Sequence, residues 1–343
     1  MTENQVSSSP IVDVAIIGAG PAGLFAVFQC GMLGLSACVI DSLPEIGGQC
    51  TALYPEKPIY DIPGFPNVAA GDLIGNLEAQ AAPFKPAYHL GQTVQGLEKT
   101  GENLWALTTS AGMRVQARAV IIAAGSGAFG PNRPPLDGIG AYEGTSVFYM
   151  VRRREDFRGK RVVIAGGGDS AVDWALSLSE IAAHVMVVHR RDQFRAAPES
   201  LNRMRTLSAE GKIEMVVPYQ LHALDGENGV LKAVIVRDLD GAEKALEADI
   251  LLPFFGLAAS LGPIAAWGLD IDRHHIVVDP ATAETNVPGI YAIGDIVAYS
   301  NKLKLILTGF AEAAQAAHAI YHRLNPGQEL HMEYSTTKGL PGA

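Results

Sequence analysis

VAIIGAGPAGL, residues 14–24, is the stretch that decides the fold. Residues 11–17 form a short apolar run rich in β-branched side chains, which is typical of a buried parallel strand. The run leads directly into the motif Gly18-x-Gly20-x-x-Gly23, and a helix-compatible stretch follows. A second apolar run comes next and ends at an acid. The pattern therefore predicts a complete βαβ unit of the kind that binds a dinucleotide.

The three glycines and the acid have different expected roles. Gly18 permits the tight turn, Gly20 lets the backbone approach a pyrophosphate, and Gly23 lets the helix pack close to the strand. The pyrophosphate would lie at the helix N-terminus, where unpaired N–H groups favour an anion. Asp41, which follows Gly18 by 23 residues, would accept hydrogen bonds from an adenosine ribose. The alternative is a glycine turn without a ligand, and the flanking strand and helix argue against it.

The same unit occurs a second time, at RVVIAGGGDSA, residues 161–171. A helix-compatible stretch and a second strand, HVMVV, again follow the motif. The chain is therefore an internal duplication at the scale of a domain, which is expected where two nucleotide cofactors must meet. The residues that this motif predicts at the second nucleotide are Gly166, Gly168, Asp169, Ser170 and Ala171.

The two units differ at the position that selects the nucleotide. His189 lies 23 residues after Gly166, where the first unit has its acid, and Arg190 and Arg191 follow it. An acid would repel a 2′-phosphate, whereas guanidinium groups bind one through charge-assisted hydrogen bonds. The second unit is therefore predicted to bind NADP(H), with Arg195 as a third contact. The alternative for the arginines is a solvated charge pair at a strand end.

Size and composition are those of a two-domain α/β protein. The chain has 343 residues, of which 48% are apolar and 18% charged, and its net charge of -10 argues against nonspecific nucleic-acid binding. Because it has neither a signal-peptide pattern nor an apolar stretch near the ~18 residues of a membrane span, we expect a cytoplasmic protein. Cys30, Cys38 and Cys50 lack C-x-x-C spacing, so we expect ordinary thiols and no metal site.

Three segments together resemble the flavoprotein reductases that have two dinucleotide-binding domains: residues 14–24, 120–125 and 285–296. The resemblance implies an α/β fold with two Rossmann-like domains of the three-layer ββα type. It places FAD in the first domain, with Asp295 on the ribityl chain and a helix starting near residues 305–308 directed at the flavin. The FAD domain is then discontinuous, and the expected boundaries are 1–125 for its first part, 126–287 for the NADP(H) domain and 288–343 for its second part.

Cysteine spacing separates the branches of these reductases. The glutathione-reductase branch requires C-x4-C after the glycine pair of the FAD domain, but Pro55 stands five residues after Cys50. The thioredoxin-reductase branch requires C-x-x-C just before the second motif, where this chain has Tyr-Met-Val-Arg at 149–152. Without those thiols the chain cannot relay electrons to a disulfide by thiolate exchange.

The chain resembles instead the ferredoxin-NADP reductases of thioredoxin-reductase-like architecture. The segments that carry the resemblance are residues 47–66, 125–131, 172–176, 262–271 and 333–343. The resemblance implies that Tyr54 stacks on one flavin face and Tyr334, from the partner of a homodimer, on the other. The alternatives are a half-buried core tyrosine and a frayed tail. The residues implied around FAD are Asp41, Gln49, Tyr54, Val94, Phe129, Asp295 and Thr336.

The resemblance further implies reversible electron transfer between NADPH and ferredoxin or flavodoxin through FAD, with no catalytic acid or base supplied by the protein. Another NADPH-dependent flavin reductase, acting on quinones, free flavin or an external disulfide protein, is the first alternative. A nonenzymatic nucleotide-binding redox sensor is the second. Six cations within residues 152–161 are expected either to steer an acidic ferredoxin or to form a solvated loop.

Overall fold

The computed structural model describes residues 11–125 and 127–328, with side chains except at 128–131 and 257–259. The helices in these ranges are α1 (Pro21–Met32), α2 (Gln49–Ala52), α3 (Ala70–Ala81), α4 (Asp169–Leu178), α5 (Pro198–Ala209) and α6 (Ile306–Leu324). None of the helices in the described ranges combines the length and apolarity needed to cross a bilayer.

The strands in the same ranges are short, as expected for an α/β protein. They are β1 (Val12–Ile17), β2 (Ala37–Ile40), β3 (Pro58–Ile59), β4 (Val68–Ala69), β5 (Ala87–His89), β6 (Val94–Gly101), β7 (Leu104–Thr109), β8 (Arg114–Ile122), β9 (Ala128–Pro131), β10 (Arg161–Ala165), β11 (His184–Val188), β12 (Ile213–Val216), β13 (Gln220–Glu227), β14 (Val230–Arg237), β15 (Glu243–Glu247), β16 (Ile250–Pro253), β17 (Leu257–Ser260), β18 (Ile271–Asp272), β19 (His275–Val277), β20 (Ile290–Ala292) and β21 (Val297–Ala298).

The first unit of the chain comprises the residues up to Phe129 and those from Ala259 onward. Its main sheet has the order β5-β2-β1-β8-β7-β6, and β20 pairs with the carboxyl half of β8. Strands β5, β2, β1, β8 and β20 run parallel, whereas β7 and β6 form antiparallel pairs at one side. The carboxyl ends of the parallel strands therefore share one edge of the sheet, where a dinucleotide is expected to bind.

Strand β1 is buried on both faces because helices cover one face and strands and loops cover the other. Val14 and Ile16 pack among α1 and α6, while Ala15 and Ile17 pack into a second core on the opposite face. This burial explains why the strand reads as a continuous apolar run rather than an alternating one. The predicted first βαβ unit, β1-α1-β2, is confirmed.

The second unit, residues 130–258, has a parallel sheet of order β12-β11-β10-β16 and a three-stranded antiparallel sheet β13-β14-β15. Val163 and Met186 of the parallel sheet share an apolar core with Val234 and Leu246 of the antiparallel one. The predicted repeat of the βαβ unit, β10-α4-β11, is confirmed. The two-domain α/β fold with a discontinuous first domain is therefore as predicted.

The division between the units differs from the sequence interpretation at its second boundary. The chain returns to the first unit between residues 258 and 259, not after 287, and the first boundary falls at 129/130 rather than 125/126. The physical reason lies in the core, because Leu261, Ile264 and Ile276 pack with Ile17 and Ile122 of the first unit. Residues 259–287 therefore complete the first unit instead of ending the second.

Two candidate nucleotide-binding sites

Two of the first-motif glycines are required by the protein's own packing. Gly18 has φ +115°, and a Cβ atom there would lie 2.2 Å from the Ala123 carbonyl oxygen. A Cβ atom at Gly23 would lie 2.0 Å from the Gly18 carbonyl oxygen. These distances match the tight turn and the close helix approach that the sequence predicts at the two positions.

Gly20 differs from both neighbours because its missing side chain borders open space. A Cβ atom there would meet no protein atom within 4 Å, and Gly20 lines the cavity of the first unit. Helix α1 begins immediately after it, with no side-chain hydrogen bond capping its first turn. Unpaired N–H groups beside an empty glycine face fit an anion such as a pyrophosphate.

Asp41 lies buried at the end of β2, directly beside this turn. Its Oδ2 atom accepts a hydrogen bond from the Ala19 N–H at 2.5 Å, and its Oδ1 atom accepts one from the Leu43 N–H at 2.8 Å. Burial raises the pKa of the Asp41 carboxyl, and the two backbone donors partly offset the rise. The carboxylate thus holds the motif loop, and the lone pairs that remain can accept ribose hydroxyls.

The cavity of the first unit brings together most of the residues predicted to bind FAD. Gly23 lies behind the cavity in the helix–strand contact, the Phe129 side chain lies outside the description, and Tyr334 and Thr336 lie outside the described residues. The predicted residues that line the cavity are Gly18, Gly20, Asp41, Gln49, Tyr54, Val94 and Asp295.

One wall of the cavity was missed by sequence reasoning. Leu261, Pro263, Ile264 and Trp267 line it, although the sequence interpretation assigned them to the other domain. Their segment, 262–271, was noted only as a likeness and given no role. The signal that identifies this wall is tertiary, because the segment reaches the cavity only when Leu261 and Ile264 pack into the core of the first unit.

Asp295 and the start of α6 form the far wall of the same cavity. Gly294 has φ +81°, and a Cβ atom at Gly309 of α6 would lie 3.2 Å from Ala22 Cβ and 3.4 Å from Gly294 Cα. Three backbone segments therefore meet closely at the cavity. Helix α6 begins at Ile306, within the range expected from the sequence, and Leu305, Ile306 and Gly309 line the cavity.

The second unit has a larger cavity, of about 910 Å³, built around the second motif. Gly166 has φ +153°, and a Cβ atom there would lie 2.6 Å from the Phe254 carbonyl oxygen, whereas a Cβ atom at Gly168 would meet nothing within 4 Å. The second motif thus repeats the division of roles seen in the first. The predicted residues that line this cavity are Gly166, Gly168, His189, Arg190, Arg191 and Arg195.

The remaining predicted residues of the second site support the motif loop from behind. Asp169, in the first turn of α4, accepts a hydrogen bond from the Ala197 N–H at 2.9 Å, and the Arg195 N–H donates to the Gly167 carbonyl at 2.6 Å. Ser170 is exposed and Ala171 is buried on α4. The loop that carries the arginines is thereby fixed to the motif.

The cavity arginines are not paired with acids. Within the described part of the chain, no ion pair joins Arg190, Arg191 or Arg195 to a carboxylate, and the same holds for Arg205 of α5, which also lines the cavity. Sequence reasoning missed Arg205, because it lies on a helix with no motif of its own. Four guanidinium groups without acidic partners make this cavity suited to an anion with several charges, such as a 2′-phosphate.

His189 occupies the position that Asp41 has in the first unit. A Cβ atom at Gly167 would lie 2.4 Å from its imidazole, and the ring also packs on Phe194 at 4.9 Å between centroids. Burial lowers the pKa of His189, and the charges of the neighbouring arginines lower it further. The group that replaces the acid is therefore a neutral ring at pH 7, and the positive charge comes from the arginines.

The three cysteines are free and buried. Burial raises the pKa of Cys30 and Cys38 to about 12 and that of Cys50 to about 11. Because thiolates are the reactive form, all three thiols are poor nucleophiles at neutral pH. Cys50 lines the cavity of the first unit, where its thiol is hydrogen-bonded to the Tyr54 hydroxyl.

The cationic segment 152–161 favours the solvated-loop interpretation over a docking face. Four of its six cations form ion pairs within the chain: Arg153 with Asp156, Arg154 with Glu180, Arg158 with Glu155, and Arg161 with Glu247 and Asp249. Charges already paired in this way contribute little field toward a partner.

Comparisons with known proteins agree with this architecture. The family described as pyridine nucleotide-disulphide oxidoreductase matches residues 12–319. The ferredoxin–NADP reductase of Paramagnetospirillum magneticum is 62% identical over 96% of this chain and 98% of its own length, and that of Rhodospirillum rubrum is 63% identical over 98% of each. Among solved structures, T. acidophilum thioredoxin reductase superposes with a TM-score of 0.79 at 26% identity, covering 91% of this chain and 98% of that one. The chain belongs to the pyridine nucleotide-disulphide oxidoreductase family and, within it, to the ferredoxin–NADP reductases.

Proposed function

We propose that this chain is a flavoenzyme that transfers electrons reversibly between NADPH and a one-electron carrier protein, ferredoxin or flavodoxin, through FAD. The observation that carries the proposal is the chemical contrast between the two motif cavities. One ends in a carboxylate, Asp41, and the other is surrounded by four guanidinium groups without acidic partners. The near full-length similarity to ferredoxin–NADP reductases supports the choice of acceptor.

FAD fits the first cavity by the donors and the space that the residues offer. The N-terminus of α1 and the open face of Gly20 would receive the pyrophosphate, and Asp41 the adenosine ribose. Asp295 would hold the ribityl chain, and Tyr54 would stack on the flavin. The N-terminus of α6 would stabilise the negative charge that develops when the ring is reduced.

NADP(H) fits the second cavity. The N-terminus of α4 and the open face of Gly168 would receive its pyrophosphate, while Arg190, Arg191 and Arg195 would bind the 2′-phosphate. Arg205 adds a fourth cation to this set. Together these groups give NADPH an advantage over NADH that is electrostatic in origin.

The residues of this chain bind and orient cofactors rather than exchange protons with a substrate. Bound FAD would accept two electrons as a hydride from NADPH and release them singly to the carrier. Among the described residues no group of three or more His, Cys, Asp or Glu side chains could hold a metal ion. We further propose a homodimer whose partner chain supplies Tyr334, and a cytoplasmic location consistent with three unpaired cysteines.

A ferredoxin-coupled cytochrome assay tests the proposal. Cytochrome reduction should depend on ferredoxin or flavodoxin, and NADPH should support it much better than NADH. Thioredoxin in place of ferredoxin should give no coupled reduction of its disulfide. Equal rates without any carrier protein, or efficient reduction of thioredoxin, would instead favour another NADPH-dependent flavin reductase.

Blocking the cysteines should not affect electron transfer. Native protein treated with iodoacetamide at pH 8 is expected to remain unalkylated and to retain its ferredoxin-dependent rate, because the pKa values of about 11 and about 12 keep the thiols protonated. The measurements are intact mass and the coupled assay, and unfolded protein should gain three alkyl groups. Inactivation in step with alkylation of the native protein would show that a thiol takes part.

A further inference from the structure

Glu312 of α6 is a buried acid to which the proposed function assigns no role. Its side chain is 4% exposed, and its Oε2 atom accepts a hydrogen bond from the Gly294 N–H at 2.7 Å. Its Oε1 atom accepts hydrogen bonds from the Tyr299 hydroxyl at 2.6 Å and from Lys302 Nζ. Lys302 is equally buried, with 6% of its side chain exposed, and its Nζ lies 5.4 Å from the centre of the Tyr299 ring.

These contacts join two parts of the first cavity that are separate in sequence. Gly294 precedes Asp295, and Glu312 is one turn beyond Gly309, which lines the cavity and lies close to Gly294. The Gly294 N–H belongs to a residue with φ +81°, a conformation that a hydrogen bond at this point helps to hold. The carboxylate thus connects the Asp295 turn to the helix that forms the adjacent wall.

A charged pair is a costly way to fill such a space. A buried acid and a buried amine each lose solvation, and apolar residues of similar size often give equal or greater stability. A fixed position for the Asp295 turn is what the pair provides. The need for that position is explained if a ligand must be met by Asp295 and by the start of α6 at once.

We propose that Glu312 is a positioning residue of the FAD site: its carboxylate, held by Lys302 and Tyr299, fixes the Gly294–Asp295 turn against α6. The inference rests on the proposed binding of FAD in this cavity. Glu312 itself does not line the cavity and acts through the Gly294 N–H. Its removal should therefore weaken FAD binding by more than its effect on folding can explain.

Three variants separate positioning from stability. Glu312→Gln leaves Lys302 without its acid and should raise the Kd of FAD at least about tenfold. Lys302→Met with Glu312→Gln removes both charges but keeps an amide oxygen that can accept from Gly294, so FAD affinity should return close to that of the unmodified protein. Lys302→Met with Glu312→Leu removes the acceptor, so affinity should stay at least about tenfold weaker even if the melting temperature recovers.

Glu284 provides a matched control. Its Oε1 atom accepts a hydrogen bond from another glycine N–H, that of Gly289, at 2.8 Å and pairs with Arg323 at 3.1 Å, but Glu284 does not line the cavity or contact the Asp295 turn. Glu284→Gln should therefore lower the melting temperature without changing FAD affinity. The affinity of each variant is measured by diluting holoenzyme and following the fluorescence of released FAD, and the melting temperature is measured on the same samples.

The pattern of FAD affinities decides the outcome. Weak binding in Lys302→Met/Glu312→Leu together with strong binding in Lys302→Met/Glu312→Gln supports the proposal. It is overturned if FAD affinity follows melting temperature across all variants, Glu284→Gln included, or if none of the Glu312 variants folds, since the residue then acts only in folding. Failure of the unmodified protein to bind FAD would refute the proposed function instead, and is seen before any variant is made.

Discussion

Replacing Gly20 with alanine is expected to leave the protein folded and to remove FAD. The added Cβ atom meets no protein atom within 4 Å, so the free energy of unfolding in the absence of cofactor should change little. The same atom would enter the space through which the backbone approaches the pyrophosphate. We expect the Kd of FAD to rise about a hundredfold or more, which corresponds to roughly 2.7 kcal/mol.

Two neighbouring substitutions make this prediction specific. Gly75→Ala in α3 also adds a Cβ atom that meets nothing, but Gly75 does not line the cavity, so it should keep its flavin. Gly23→Ala should destabilise the fold itself, because its Cβ atom would lie 2.0 Å from the Gly18 carbonyl oxygen. Visible absorbance of bound flavin and thermal unfolding distinguish the three cases. Unchanged flavin binding in Gly20→Ala would show that no cofactor approaches the backbone at Gly20.

Replacing Arg190 and Arg191 together with alanine is expected to abolish the preference for NADPH. Hydrogen bonds to charged groups contribute about 1.5–3 kcal/mol each, so losing two should raise the KM for NADPH about a hundredfold or more. The KM for NADH should change little, because NADH has no 2′-phosphate for the arginines to bind. The fold should tolerate both changes, since the two side chains are exposed and no described acid pairs with them.

Arg158→Ala is the control for a general effect of charge. Arg158 is exposed in the same unit and is paired with Glu155, so its loss should leave both KM values unchanged. The measurement is steady-state kinetics with each nucleotide at a fixed concentration of carrier protein. A parallel rise in the KM for NADH in the double variant would indicate that the arginines act on a part shared by both nucleotides.

Local sequence predicted the features that local physics determines. The two βαβ units follow from β-branched runs joined to glycine motifs, and the Gly18 turn and the close approach at Gly23 follow from spacing alone. The exchange of Asp41 for His189 with two arginines distinguishes the nucleotides at the same offset from the glycines. Each of these signals spans only about 25 residues, so no knowledge of distant packing is needed.

The remaining features depend on contacts that are distant in sequence. The cavity wall at 261–267 belongs to the first unit only because Leu261 and Ile264 pack against β-strand residues more than a hundred positions earlier. Arg205 reaches the second cavity from a helix without a motif. Glu312 reads in the sequence as one more acid in an amphipathic helix, and its burial becomes visible only when α6 packs beside Gly294. The docking hypothesis for residues 152–161 was weakened in the same way, by acids elsewhere in the fold.

An anaerobic titration of the purified protein with NADPH tests the central claim most directly. We predict a bound yellow flavin whose visible absorbance is lost on adding NADPH and returns on adding oxidised ferredoxin, with the same result after the native protein has been treated with iodoacetamide. A protein that stays colourless after FAD is supplied, or whose reduced flavin is reoxidised by thioredoxin and not by ferredoxin, would contradict the account.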